Sequence, residues 1–246
     1  MFVTILGTGV LIPEQNRAQA GILVESEDTL VLFDCGNGVL KRIIQAGYDH
    51  EDIQHVFISH IHIDHTSDIP PLLGANFLKG KLDFKLYGPK GTKDWLTKIL
   101  EAYDYIERIN FQVNEIKDEE LIELGDLRIR CRYVSHGVPS LGFRIECDSS
   151  MVYSGDTETC NGMRDLCSKK TDLLIHECSF LDDFPRRYGH TTPSALSEFL
   201  KNLNVSSLIV THIYPESRHE ELIIKAIRKN YQNELMIGED LLRVEI

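Results

Sequence analysis

The chain has 246 residues, 42% hydrophobic and 26% charged, with 17 Gly and 8 Pro, which excludes disordered and fibrous classes. No apolar run approaches the roughly 20 residues that a membrane-spanning helix needs. Lys and Arg total 26 against 38 Asp and Glu, a formal charge of -12, so the whole-molecule field repels polyanions and any nucleic-acid partner has to be held locally.

Short apolar and β-branched runs bounded by Gly, Asp or Asn predict strands. In chain order they are Phe2–Leu6, Gly21–Glu25, Leu30–Phe33, His55–Ile58, Phe84–Tyr87, Leu127–Val134, Gly142–Glu146, Met151–Tyr153, Leu173–Ile175, Leu208–Thr211 and Leu242–Val244. Helical periodicity puts Trp95, Leu96, Ile99, Leu100 and Tyr103 on one face, as it does Leu196, Phe199 and Leu200, and Leu222, Ile223, Ala226 and Ile227. Thr192 before Pro193 predicts an N-cap, and Ser217 with Glu220 a capping box ahead of the last helix. Ile69–Lys79 is apolar with a terminal lysine and suits either a pocket wall or the core. No low-complexity tract or Ser/Gly-rich linker interrupts the chain, so one domain over residues 1–246 is expected, an α/β sandwich of two sheets with helices outside. The six cysteines lack CxxC spacing and the N-terminus carries no basic stretch before a long apolar core, which fits reduced thiols in the cytoplasm and no membrane partner.

The densest chemistry is in Ser59–His65, SHIHIDH, directly after the strand HVFI. Alternate side chains of an extended segment point the same way, so His60 and His62 can bind one cation while the following turn swings Asp64 and His65 toward a second. One loop supplies too few ligands for two cations. His136 follows RCRYV, Asp156 follows MVYSG and His212 follows LIVT, each at the carboxyl end of an apolar strand. A carboxylate such as Asp156 can bridge two divalent ions with its two oxygens, and a hydroxide held between them is a nucleophile at neutral pH. His50 and His55, in or beside a polar connection, and His219, in the first turn of a helix, read instead as solvated surface.

SHIHIDH, His136, Asp156 and His212, in that order, resemble the metallo-β-lactamase superfamily. More narrowly, GTGVLIPEQNR, LFDCGNG, YSGDT, LLIHECSF and GHTT resemble ribonuclease Z and its phosphodiesterase relatives. The resemblance implies a four-layer αββα sandwich, two mixed sheets packed face to face with helices outside. It also implies one metal on His60, His62 and His136, another on Asp64, His65 and His212, and Asp156 bridging. Zinc is the usual occupant, and manganese or iron suits the same donors. The position of Asp34 implies that it orients a metal-binding histidine through the far ring nitrogen. His190 is expected to bind the scissile phosphate with support from Glu177, and Asp64 to position the nucleophile. Thr192 opens a helix whose free N–H groups favour an anion, so it is a second phosphate contact, the alternative being a plain cap beside a packed His190. Arg186 and Arg187 offer phosphate contacts or a solvated loop. Cys35 and Cys178 read as small buried hydrophobes.

Three departures stand out. Ile63 replaces the glycine that ribonuclease Z usually has between its second histidine and its aspartate, and GDTET replaces GDTRP. The long arm that grips transfer RNA has no counterpart, because only a short strand pair fits between His136 and Asp156. The resemblance therefore implies hydrolysis of a small or cyclic phosphodiester or of RNA, with 3′ processing of transfer RNA, a glyoxalase II-like thioesterase and a non-catalytic metal-binding module as alternatives. A homodimer is the assembly expected from it.

Overall fold

The β-branched runs become strands where both of their faces can be buried. The computed structural model describes residues 1–81, 83–103, 112–185 and 189–246. Its strands in chain order are β1 (Phe2–Gly7), β2 (Gly21–Glu25), β3 (Leu30–Phe33), β4 (His55–Phe57), β5 (Lys85–Gly88), β6 (Gln112–Glu115) and β7 (Leu121–Leu124). They continue with β8 (Leu127–Tyr133), β9 (Leu141–Glu146), β10 (Ser150–Tyr153), β11 (Thr171–Glu177), β12 (Val205–Thr211), β13 (Glu234–Ile237) and β14 (Arg243–Glu245). The helices are α1 (Val39–Gln45), α2 (Ile63–Thr66), α3 (Ile69–Leu78), α4 (Thr92–Leu100), α5 (Asn161–Leu166), α6 (Pro193–Leu200) and α7 (Glu220–Ile227).

Two mixed sheets result, in the orders β14-β1-β2-β3-β4-β5-β6 and β13-β12-β11-β10-β9-β8-β7. In the first, β1, β2 and β3 pair antiparallel and β3 to β6 run parallel. The second repeats this plan, antiparallel from β7 to β10 and parallel from β10 to β13. Side-chain alternation then divides each strand between two cores. Leu173 and Ile175 of β11 face the other sheet, where they join Phe33, Phe57, Ile129, Phe143 and Tyr153, whereas Leu174 faces outward onto α5, α6 and α7 through Met163, Phe199 and Ile223. On the other side Leu32, Val56 and Leu86 pack against Ile43 of α1, Leu72 and Leu73 of α3 and Leu96 of α4. The four layers are thus helix, sheet, sheet, helix, as the resemblance implied.

Parallel pairing brings the carboxyl ends of successive strands to the same edge. Phe33 is in register with Phe57, Tyr153 with Ile175, and Glu177 with Thr211. Asp34, His60, Asp156, Glu177 and His212 therefore lie at or just beyond one rim of the sandwich, where ligands collect in parallel sheets.

Several elements differ from the sequence expectation. The strand β6 (QVNE) is mostly polar, and β7 (LIEL) and β13 (ELMI) are four residues each, so none gave an alternating apolar pattern; α1, α2, α3 and α5 are also unannounced. Ile69–Lys79 is the helix α3, with Ile69, Leu72 and Leu73 in the core. The Ser217–Glu220 capping box does not form: Ser217 N donates to Tyr214 O and His219 N to Ser217 O, so the chain turns twice and His219 becomes the N-cap without side-chain capping. Leu222 and Tyr103, assigned to apolar helix faces, are exposed, Tyr103 because α4 ends at Leu100. His50 and His55 are half-buried, the first held by Asn76 Oδ1 at 2.6 Å and the second stacked on Tyr87 with ring centroids 6.1 Å apart, so only His219 is the solvated residue expected. Among the described residues no helix is long and apolar enough to cross a membrane.

The inter-sheet core is closed by an aromatic cluster. Phe143 lies 5.3 Å from Phe33 and 5.8 Å from Phe57 between ring centroids, and it is fully buried. Phe143→Ala is expected to cost about 3–5 kcal/mol, read from urea denaturation of the metal-free protein.

Candidate metal centre

Beyond β4 the backbone remains extended and pinned to β5, with Ile58 N donating to Tyr87 O at 2.8 Å. His60 and His62 project from this extended stretch. At His62 (φ -65°, ψ 149°) the chain enters the one-turn helix α2, which delivers Asp64 and His65. Gly155, at φ +55°, makes the turn that places Asp156 after β10, and an added Cβ there would meet Ser59 Cβ at 2.6 Å. His212, at φ +54°, makes the corresponding turn after β12. His136, beyond β8, donates from Nδ1 to Gly189 O at 2.7 Å, which directs its Nε2 toward His62 Nδ1, 3.2 Å away.

The seven residues form two adjoining groups. His60, His62, His136 and Asp156 bring one ligand atom each within 4.8 Å of one another, and so do Asp64, His65 and His212. Asp156 lies between them: Oδ1 is 3.4 Å from His65 Nε2, and Oδ2 is 3.9 Å from His60 Nε2 and 3.5 Å from His212 Nε2. The fit of cations to this space is read from the atoms left over. His60 Nε2 and Asp156 Oδ1 are buried without a hydrogen-bond partner, and His65 Nε2 faces His212 Nε2 at 3.4 Å. Nitrogens and carboxylate oxygens gathered this closely, several of them facing one another, fit divalent ions of mixed N/O preference.

Electrostatics prepare the donors. Burial, and then the charge of His65, hold His60 well below the usual histidine range; burial and His136 lower His62. Burial works against charging His65, yet Asp156 and Asp34 outweigh it and raise the ring well above its ordinary value, so an entering cation displaces a proton there. For Asp156, burial opposes ionisation but His212 and His65 hold it well below the carboxylate range.

A set of hydrogen bonds fixes these rings. Asp34, at φ +58°, accepts from His65 Nδ1 at 2.7 Å, from Ser59 N at 2.7 Å, from Ser59 Oγ at 2.8 Å and from Tyr153 OH at 2.6 Å. The expectation for Asp34 thus has its geometric counterpart. On the other side Glu177 is saturated: Oε1 accepts from His190 Nδ1 at 2.9 Å and Thr157 N at 3.0 Å, Oε2 from Ser179 N at 2.9 Å and Ser179 Oγ at 2.8 Å. Burial opposes protonation of His190, but Glu177 dominates and lifts it to about 9. The His190 ring stacks 5.8 Å from that of His212, and Asp156, His190 and His212 also share a space of ligand atoms within 4.8 Å.

Thr192 is the exception among the expected residues. It occupies the N-cap of α6, buried, with no capping bond from its side chain, and Asp182 already accepts from Ser194 N at 3.1 Å and Ser194 Oγ at 2.7 Å at that helix end. An internal carboxylate thus already caps this helix N-terminus at Ser194. Arg186 and Arg187 lie outside the described residues. Cys35 and Cys178 are buried free thiols in the helix–sheet cores. Ser59, Tyr153, Ser179 and Tyr214 carry no signal of their own in the sequence; all but Tyr214 sit inside the quoted motifs, without a mark separating them from structural neighbours.

Residues 29–213 match the family described as "Beta-lactamase superfamily domain". The chain belongs to the metallo-β-lactamase superfamily. Within the superfamily it is 26% identical to ribonuclease Z of Methanosarcina acetivorans, covering 99% of this chain and 97% of that protein. That alignment spans 301 positions against 246 residues here, so the relative has residues with no counterpart in this chain. Among solved structures, the metallo-beta-lactamase fold protein YhfI from Bacillus subtilis has a TM-score of 0.87 and 26% identity over 99% of both chains. Human tRNase Z, short form, has a TM-score of 0.82 at 24% identity, covering 100% of this chain and 99% of that one, a likeness of fold.

Two outcomes are expected. Asp34→Asn lowers metal affinity about 10- to 100-fold in a chelator competition, because the His65 ring loses the acceptor that orients it. In the metal-free protein, the Glu177–His190 contribution to stability is fully present below pH 6.5 and is lost as pH rises through about 9, with the His190 titration followed by histidine NMR and returned toward 6.5 by Glu177→Gln.

Proposed function

We propose that this metallo-β-lactamase-fold hydrolase is a metal-dependent phosphoric diester hydrolase acting on a small or cyclic phosphodiester. The observation that carries the reading is the adjacency of His190, hydrogen-bonded to Glu177 at 2.9 Å, to two ligand groups between which Asp156 lies. In this reading His60, His62, His136 and Asp156 hold one divalent ion, and Asp64, His65 and His212 the other, with Asp156 contacting both. Bound there, two ions of zinc, or of manganese or iron, would supply Lewis acidity toward the phosphoryl oxygens and activate water for attack.

The chain's own residues do the remainder. His190, kept charged by Glu177, donates a hydrogen bond to a non-bridging oxygen of the scissile phosphate as negative charge develops on it. Its position is fixed before substrate arrives, because Glu177 has no free acceptor direction and cannot swing away. Asp64 accepts a hydrogen bond from the attacking water and orients it in line with the leaving group. Ser179 Oγ, 3.1 Å from Nδ1 of both His190 and His212, keeps the phosphate-contacting ring and a metal-holding ring in fixed relation.

The preference for a small substrate is supported by the net charge of -12 and by the hairpin of β9 and β10, joined through Cys147–Ser149, which occupies the sequence between His136 and Asp156. Cleavage at the 3′ trailer of precursor transfer RNA is the second reading, favoured by the full-length likeness to ribonuclease Z. We assign the protein to the cytoplasm as a homodimer; the six free cysteines support a reducing compartment, and analytical ultracentrifugation tests the assembly.

Zinc- or manganese-loaded protein is expected to hydrolyse bis-p-nitrophenyl phosphate, to lose activity with chelator and to regain it with added ion; fully loaded protein without turnover overturns the reading. His190→Ala should lower kcat by about 10²–10³ while metal content is retained. A labelled precursor RNA cut at one defined 3′ position would move the assignment to the second reading.

A further inference from the structure

Tyr214 lies two residues past His212, in a segment whose backbone groups are already committed. Its N–H donates to Ser179 O at 3.1 Å and its carbonyl accepts from Ser217 N at 2.9 Å. The preceding carbonyl, that of Ile213, accepts from Arg218, and the Arg218 guanidinium is clamped by both oxygens of Glu14. The ring is fixed as well. It stacks on Phe180 with centroids 4.5 Å apart at 26°, and Phe180 is backed in turn by Phe184 at 4.7 Å and 14°.

So placed, the Tyr214 ring stands nearly perpendicular to the parallel rings of His212 and His190, at 6.0 and 6.1 Å from their centroids. It is about equally far from a metal-holding ring and the phosphate-contacting ring, and the charges of Asp64, Asp156 and Glu177 act on its hydroxyl, which places that hydroxyl at the pocket. Among the described residues that hydroxyl makes no hydrogen bond, in contrast to Tyr153, whose hydroxyl donates to Asp34 at 2.6 Å. Tyr214 is half-buried, so its hydroxyl is accessible rather than an orphan of the core. Asp64, Asp156 and Glu177 around this space are acceptors when ionised, so a neutral hydroxyl donor is the group that complements them toward the non-bridging oxygen that His190 does not reach.

We propose that Tyr214 is a substrate-contacting residue, its hydroxyl donating to a second non-bridging oxygen of the phosphoryl group that His190 binds. This rests on the phosphodiesterase reading of the site. The fixed backbone and the Phe180 stack then serve to preorganise a donor, so little conformational freedom is lost when substrate binds. Tyr214→Phe removes the donor and keeps the ring.

The test compares zinc-loaded wild type and Tyr214→Phe in hydrolysis of bis-p-nitrophenyl phosphate and, by titration calorimetry, in binding of inorganic phosphate. A hydrogen bond to a charged oxygen predicts a loss of about 10- to 100-fold in kcat/KM and a comparable weakening of phosphate binding, with thermal midpoint and zinc content unchanged. Equal values for the two proteins in both assays overturn the proposal, and so does loss of zinc from Tyr214→Phe, which would place Tyr214 in support of the metal site. If wild type binds phosphate through Tyr214 but hydrolyses no diester, the phosphodiesterase reading fails while the contact stands.

Discussion

The structure is organised around one electrostatic demand: imidazole nitrogens and carboxylate oxygens carried just beyond β4, β8, β10 and β12 crowd into two adjoining groups, where they chiefly face one another. Each buried polar atom left without a partner costs about 1–3 kcal/mol, and here His60 Nε2 and Asp156 Oδ1 are left in that state. A divalent cation entering there would supply the partner that these two atoms lack. Everything else in the upper rim of the sandwich serves to hold these groups against their mutual repulsion and desolvation.

The holding is done by groups one step removed from the cations. Asp34 gathers His65, Ser59 and Tyr153 onto one carboxylate, and Tyr153 ties that carboxylate to the second sheet, so the two sheets are joined beneath the metal site as well as through the aromatic core. Both Asp34 and His212 adopt positive φ, a conformation that costs a non-glycine residue about 1–3 kcal/mol and persists where surrounding bonds over-determine it. The strain is located where the chain must turn sharply at a strand's carboxyl end to present a side chain inward.

A second division of labour separates charge from shape. The protein as a whole is strongly acidic, yet the pocket carries two rings with raised pKa values, His65 sustained by Asp156 and Asp34, and His190 by Glu177. Phe180 meets His190 edge-on and stacks on Tyr214, in the turn after His212, and these aromatic contacts fix the outer wall of the pocket.

The sequence alone brought out a set of metal-binding residue types and placed them at strand ends. SHIHIDH at the end of an apolar strand, with His136, Asp156 and His212 at later strand ends, requires no coordinates to be seen, because metal-binding side chains are rare at such positions and the strand periodicity locates the ends. The α/β layering was legible for the same reason, through apolar strands such as LLIH and LIVT. What periodicity does not carry is anything set by contacts distant in sequence. The short strands β6 and β7, which carry no alternating pattern, are defined by the neighbouring strand that each pairs with, and the abandoned capping box at Ser217 reflects a turn imposed by its surroundings. Thr192 has the sequence pattern of a phosphate contact, and only the tertiary structure brings Asp182 to the same helix end. Likewise Ser59, Ser179, Tyr153 and Tyr214 gain their roles only from partners distant along the chain or across a stack, in a geometry that parallel strand register creates and local sequence does not encode.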